Sequence, residues 1–278
     1  MSRMEVLLLF ATLGDTAGVA SICRQVAPLP INGTWRREAA QTRAVVLIHG
    51  FQFHLRDASV AKAEFRPWQS PDSALVKELS KCADVYVFAY GQNVALDEVV
   101  KDCALGMNIA ELRKLGYREI VLMGHSAGGL LARHFVEDNP EAGISKVIQV
   151  CTPNEGSAFA SLSLPKSQRA FAQSLTAEGR RKAQELRADK RIPESIQFVC
   201  VVAQTELSPN TDGVVLCASQ WSSDLQKQGI PALRITASHH EAMRDAKIAA
   251  TLANLVRDSH PRWQPARVEE ARKSILRP

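Results

Sequence analysis

Short apolar runs alternate along this chain with longer stretches in which apolar residues return every three or four positions. The first pattern is that of strands buried on both faces, the second that of amphipathic helices. Residues 44–49 (AVVLIH), 83–89 (ADVYVFA), 119–123 (EIVLM), 146–151, 197–203 and 232–236 read as strands. Helices are predicted at 72–79, behind the Ser70-Pro71 start signal, and at 96–115, ended by Gly116. Further helices follow at 127–138, stopped by Asn139-Pro140, at 241–256 and at 266–276. A strand followed by a helix, repeated, builds a mostly parallel sheet with helices on both faces, an α/β architecture.

Between Thr152 and Pro193 the rhythm changes to small, polar and basic residues with isolated large apolar ones such as Phe159, Leu162, Phe171, Leu175 and Leu186. Read as function, this is a small helical cap or lid inserted at about 154–194; read plainly, it is a surface excursion of the chain. The expected organisation is an N-terminal segment (1–40), a main domain (41–257) carrying that insertion, and a basic, Pro-interrupted tail (258–278). A chain of 278 residues, 46% of them hydrophobic, suffices for one large core.

Charge excludes more than it suggests. The formal net charge is only +5, spread along the chain, and the basic stretches lack the interleaved aromatics on which single-stranded nucleic acid stacks. Nucleic acid is therefore not an expected partner. Six cysteines (Cys23, Cys82, Cys103, Cys151, Cys200, Cys217) form no CxxC pair and no metal-ligand spacing. Most read as small buried hydrophobes, with a Cys82–Cys103 disulfide left open. Residues 6–13 are an apolar run too short for a bilayer, which takes roughly 20 residues. Small residues at 18–20 offer a cleavage site, while Glu5 and Asp15 disturb the signal-peptide pattern. Residues 1–20 are thus a signal peptide or a peripheral helix, and the location exported or cytoplasmic accordingly. With no transmembrane span expected, membrane contact would be peripheral.

Gly124-His125-Ser126-Ala127-Gly128 fits G-x-S-x-G between a predicted strand and a predicted helix. In so sharp a turn the serine is exposed at a helix N-terminus, which favours developing negative charge, and the flanking glycines let strand and helix pass closely. Ser126 is the candidate nucleophile. His49-Gly50-Phe51 follows the first strong strand, where the backbone N–H groups of Phe51 and Ala127 would form an oxyanion hole. His49 is expected to order that loop.

The acid should precede the base in the chain. Asp212, after the turn-rich Ser208-Pro209-Asn210-Thr211, is preferred over Glu206, Asp224 and Asp189, with an Asx-turn as its plain structural alternative. His239-His240 follows the last strand; His239 is taken as the base, with His240 as the alternative. His54 falls near the mouth of the site, His134 on the helix after the nucleophile and pointing away, and His260 in the tail.

These segments resemble the lipase/esterase branch of the α/β-hydrolase superfamily, specifically bacterial triacylglycerol lipases and the GPI inositol-deacylase (PGAP-like) hydrolases. The resemblance is carried by VVLIHGF around Gly50, GHSAGGLLAR from Gly124, CTPNEGS from Cys151, TDGVV from Thr211 and SHHEAMRD from Ser238, and it covers roughly 43–255. The chain departs from it at Phe51-Gln52-Phe53-His54, which lacks the HGGG form. The resemblance implies an α/β-hydrolase fold, a Ser126–Asp212–His239 triad and a variable lid. Its histidine base precedes an Arg-Asp pair by about five residues, which points to His239. It implies no cofactor, and a small-molecule or lipid ester as substrate. An acyltransferase using the same serine and a non-catalytic binding protein of the same fold are the alternatives.

Overall fold

A computed structural model describes residues 18–54, 57–162 and 165–276. The leader or peripheral helix expected at 1–20 lies almost wholly outside them. Seven strands, β1 (Ser21–Ala27), β2 (Arg43–Ile48), β3 (Asp84–Tyr90), β4 (Glu119–His125), β5 (Lys146–Val150), β6 (Gln197–Gln204) and β7 (Ala232–Thr236), form one sheet in the order β1-β3-β2-β4-β5-β6-β7. All neighbours are parallel except β1, which runs antiparallel to β3 at the edge. The parallel register brings the C-terminal ends of β2, β4, β5, β6 and β7 to one edge, so the loops that follow them gather there.

Alternate residues of each central strand enter opposite cores, as the two-residue period of a strand requires. Val46, Ile48, Leu122, Val147 and Val202 face α2 (Leu96–Asp102), α3 (Leu105–Lys114) and α4 (Ala127–Asp138). Val45, Leu47, Val121, Ile148 and Val201 face α1 (Ala74–Leu79) and, near the C-terminus, α6 (Ala246–Arg257). Between β5 and β6 lies α5 (Ala177–Leu186), and α7 (Pro265–Ile275) lies against the first core through Val268 and Ile275. Lys146 holds the end of α6: its buried Nζ donates to the carbonyls of Leu255, Val256 and Asp258 (2.9, 2.9 and 2.5 Å), groups that a helix C-terminus leaves without partners.

Two sequence expectations change here, and one left open is resolved. The single helix at 96–115 is two, because Cys103 turns extended (ψ 154°) and the Ala104 N–H goes to Ser21 Oγ on β1 at 2.9 Å. The helix at 241–256 begins as a turn of 3-10 helix, and α6 proper starts after Asp245, whose carboxylate accepts the Lys247 and Ile248 N–H groups. All six cysteines are free, and a Cys82–Cys103 bridge is not formed: Cys82 packs in one core and Cys103 in the other, on opposite faces of the sheet. Among the described residues no helix is long and apolar enough to cross a membrane.

Candidate active site

The turn from β4 into α4 is as tight as the pentapeptide demands. Ser126 sits at φ 54°, ψ −126°, a left-handed backbone rarely adopted by a residue with a Cβ. A Cβ on Gly124 would lie 2.4 Å from the Gly128 carbonyl oxygen, and one on Gly50 would lie 2.5 Å from the Ser126 Cβ and 2.8 Å from the His125 carbonyl oxygen. Glycine at position 50 is what allows the loop after β2 to press against the serine. Ser126 is not exposed as the turn predicts: the loop at Gly50 presses on it and it is buried at 6% exposure, with Ala127 fully buried and Phe51 half-buried.

That loop is held from several sides. The His49 ring stacks on Tyr90 (centroids 4.6 Å apart, 3° between planes), accepts the Tyr90 N–H at Nε2 (3.4 Å) and donates from Nδ1 to the Gly50 carbonyl at 2.7 Å. Burial pushes its pKa down to about 4, so the ring is neutral and orders the loop. Gln92 donates to the Gly50 carbonyl (3.0 Å) and accepts the Gln52 N–H (2.9 Å). Gln168, from the segment between β5 and β6, donates to the Gln52 carbonyl and accepts the His54 N–H at 3.3 Å. Phe171, from the same segment, stacks against Phe51 at 6.1 Å between centroids.

Asp212 lies in the turn after β6 and His239 in the loop after β7. The His239 Nδ1–H donates to Asp212 Oδ2 at 2.7 Å, and the His239 backbone N–H donates to the Asp212 carbonyl at 2.8 Å. Asp212 Oδ1 accepts the N–H groups of Val214 (2.9 Å) and Val215 (2.7 Å). The Asx-turn and the imidazole contact, read from sequence as alternatives, thus occur together on one carboxylate. His239 is buried, and its ring centroid is 4.7 Å from that of His125, the residue before Ser126; the His125 Nε2–H donates to the His239 carbonyl at 2.9 Å. His240 is exposed, its ring edge-on to His239 at 5.7 Å.

The other candidates lie elsewhere. Asp224 is paired with the buried Arg133, which also binds Glu137 at 2.8 Å. Glu206 and Asp189 are exposed. His134 faces away, donating to Asp97 (2.9 Å) and accepting from Arg180 (3.0 Å), with its pKa pushed by burial to about 4. His54 donates from or accepts at Nδ1 with Ser59 Oγ (2.9 Å), and His260 Nε2–H donates to the Leu255 carbonyl at 2.9 Å.

His125, Cys151 and His239 bring possible metal-ligand atoms within 4.8 Å of one another. Their chemistry suits a metal poorly. Burial and Asp212 hold the Cys151 thiol far above its usual range, keeping it protonated, whereas a metal takes the thiolate. Residues not singled out from sequence also belong here: Gln92 and Gln168 on the loop, and Arg66, Trp68, His125 and Arg244 lining the cleft with Gly50, Phe51, His239 and His240.

No family model and no curated protein matches the chain by sequence. Solved structures do match by fold. The mature lipase BlEst2 of Bacillus licheniformis superposes with a TM-score of 0.60 at 12% identity, over 85% of this chain and 97% of that one. Aspergillus fumigatus lipase B gives 0.54 at 13% identity, over 87% and 60% of the two chains. The metagenomic carboxyl esterase MGS0156 gives 0.51 at 14%, over 92% and 84%. Sheet order, strand-to-helix turn and these superpositions together establish that the chain has the α/β-hydrolase fold.

Proposed function

We propose that this protein is a serine hydrolase that cleaves carboxylic esters through an acyl-enzyme on Ser126. The observation that carries the reading is the Asp212–His239 pair, bonded through side chain and backbone alike and set against the residue that precedes the serine. With Nδ1 donating to Asp212, the His239 Nε2 is the ring's basic nitrogen, the tautomer that takes a proton from a serine hydroxyl. As Ser126 Oγ attacks the acyl carbon, its proton passes to Nε2. The carbonyl oxygen becomes an oxyanion facing the Phe51 and Ala127 amides, each worth about 100- to 1000-fold in rate in such sites. Collapse of the tetrahedral intermediate breaks the ester bond, and the alcohol leaves with the proton from His239. Water, deprotonated by the same imidazole, then attacks the acyl-enzyme, releasing the carboxylic acid and the free serine. The α/β-hydrolase fold and its lipase and esterase neighbours support ester hydrolysis as the reaction class.

Residues 154–194 serve in this reading as a cap, and the Gln168 and Phe171 contacts with the loop after β2 support that role. Ser126→Ala is expected to keep the circular dichroism spectrum and to lose at least about 1000-fold of the rate on a p-nitrophenyl ester. Undiminished turnover by that variant would refute the assignment.

A further inference from the structure

The cleft in front of His239 is small, about 30 Å³, and its charges have one sign. Arg66 and Arg244 line it together with His125, His239 and His240, and no carboxylate does. Arg66 is half-buried, just before the short 3-10 turn Pro67–Gln69 that places Trp68 in the same wall. Arg244 comes from the loop between His239 and α6 and is exposed.

Among the described residues, the acids on the loop after β7 and in the site hold other partners. Glu241 accepts the Ser238 N–H at 2.9 Å, Asp245 caps α6, and Asp212 is bonded behind His239. Glu64 is exposed, and its charge acts on His54. Among the described residues neither Arg66 nor Arg244 forms an ion pair. The two repel: burial and the Arg244 charge both lower the Arg66 pKa, and both arginines disfavour a charge on His240. A half-buried guanidinium facing another cation costs free energy that an arriving anion would return, and a guanidinium fork suits a carboxylate or phosphate in shape as well as charge.

We propose that the substrate is an ester bearing an anionic group, which docks between Arg66 and Arg244 while its acyl carbon lies over Ser126. The inference rests on the serine-hydrolase reading and narrows its substrate class. Such a group selects for charge in a way that a neutral acyl chain cannot, and the positive cleft also draws it in from solution.

The test uses two charge-matched ester pairs with the full-length protein. Mono-p-nitrophenyl glutarate against its methyl ester puts the charge on the acyl side. 4-Acetoxybenzoate against its methyl ester puts it on the alcohol side. The wild type is expected to favour the anion over its neutral partner at least tenfold in kcat/KM for one pair, and that pair identifies the side. In Arg66→Gln, Arg244→Gln and the double variant this ratio should fall toward one, mainly through KM, and 0.5 M NaCl should depress it in the wild type. Turnover of the neutral esters with a ratio at or below one in both pairs would overturn the inference alone, as would a ratio unmoved in the double variant. Absence of turnover on all four esters would overturn the serine-hydrolase reading and the inference with it.

Discussion

Asp212 divides its two oxygens between a turn and an imidazole, so one side chain fixes both the loop it sits on and the tautomer of His239. Asn at this position presents an amide where Oδ2 accepts, or surrenders the Val214 and Val215 bonds if it flips. Asp212→Asn is therefore expected to lower kcat by about 1000- to 10,000-fold while binding a competitive inhibitor with little change. His239→Ala should fall as far, and His240→Ala by less than about tenfold, since only the first of these rings is bonded to the acid; steady-state kinetics of the three variants checks the assignment. Local sequence was enough to nominate Ser126, Asp212 and His239, because each follows a strand and the elbow glycines have a steric reason. It was not enough for Arg66 or Arg244, whose significance lies in the carboxylates they do not meet, a property of packing that no local pattern carries.

The central strands were legible because burial on both faces writes continuous apolar runs, and β3 and β5 are buried at every residue. The edge strand β1 was not: its first four residues alternate between partial burial and exposure and include Cys23 and Arg24, a weak signal in a short segment. Nor was the break between α2 and α3, where Cys103-Ala104 carries neither Gly nor Pro and the cause is a serine on β1 far away in the chain. The link between the segment after β5 and the loop after β2 was equally hidden, since Gln168 reads as one more polar residue in a polar stretch. It is nonetheless fully buried and bonded to two backbone groups of the loop that carries Phe51. Gln168→Ala strands the Gln52 carbonyl and the His54 N–H, at a cost of about 1–3 kcal/mol for each buried group left unsatisfied. Expected results are a lower urea midpoint and a kcat reduced by roughly tenfold as Phe51 loses its position; an unchanged kcat at reduced stability would limit Gln168 to a structural role.

Across the whole molecule, the sheet gathers at one edge the groups that stand far apart in the chain, and helices on both faces seal neutral histidines into the structure around it. His49 and His134 have folded pKa values near 4 and His125 lies well below its ordinary 6.5, all through burial. Between pH 6.5 and 4 the unfolded chain therefore binds more protons than the folded one. The stabilisation is complete above 6.5 and is lost as pH falls through that window. Urea unfolding should show a midpoint lower at pH 5 than at pH 7, and His134→Gln should flatten the dependence by up to one proton, about 1.4 kcal/mol per pH unit. A dependence just as steep in that variant would mean that His134 does not titrate in this way. The most direct test of the central claim is chemical. A fluorophosphonate offers a phosphorus that only an activated serine attacks quickly, with fluoride leaving. Mass spectrometry of the treated protein should find one phosphonyl group, mapped to the peptide holding Ser126, absent from Ser126→Ala and strongly slowed in His239→Ala. An unmodified protein, or an adduct on any other residue, would contradict the account.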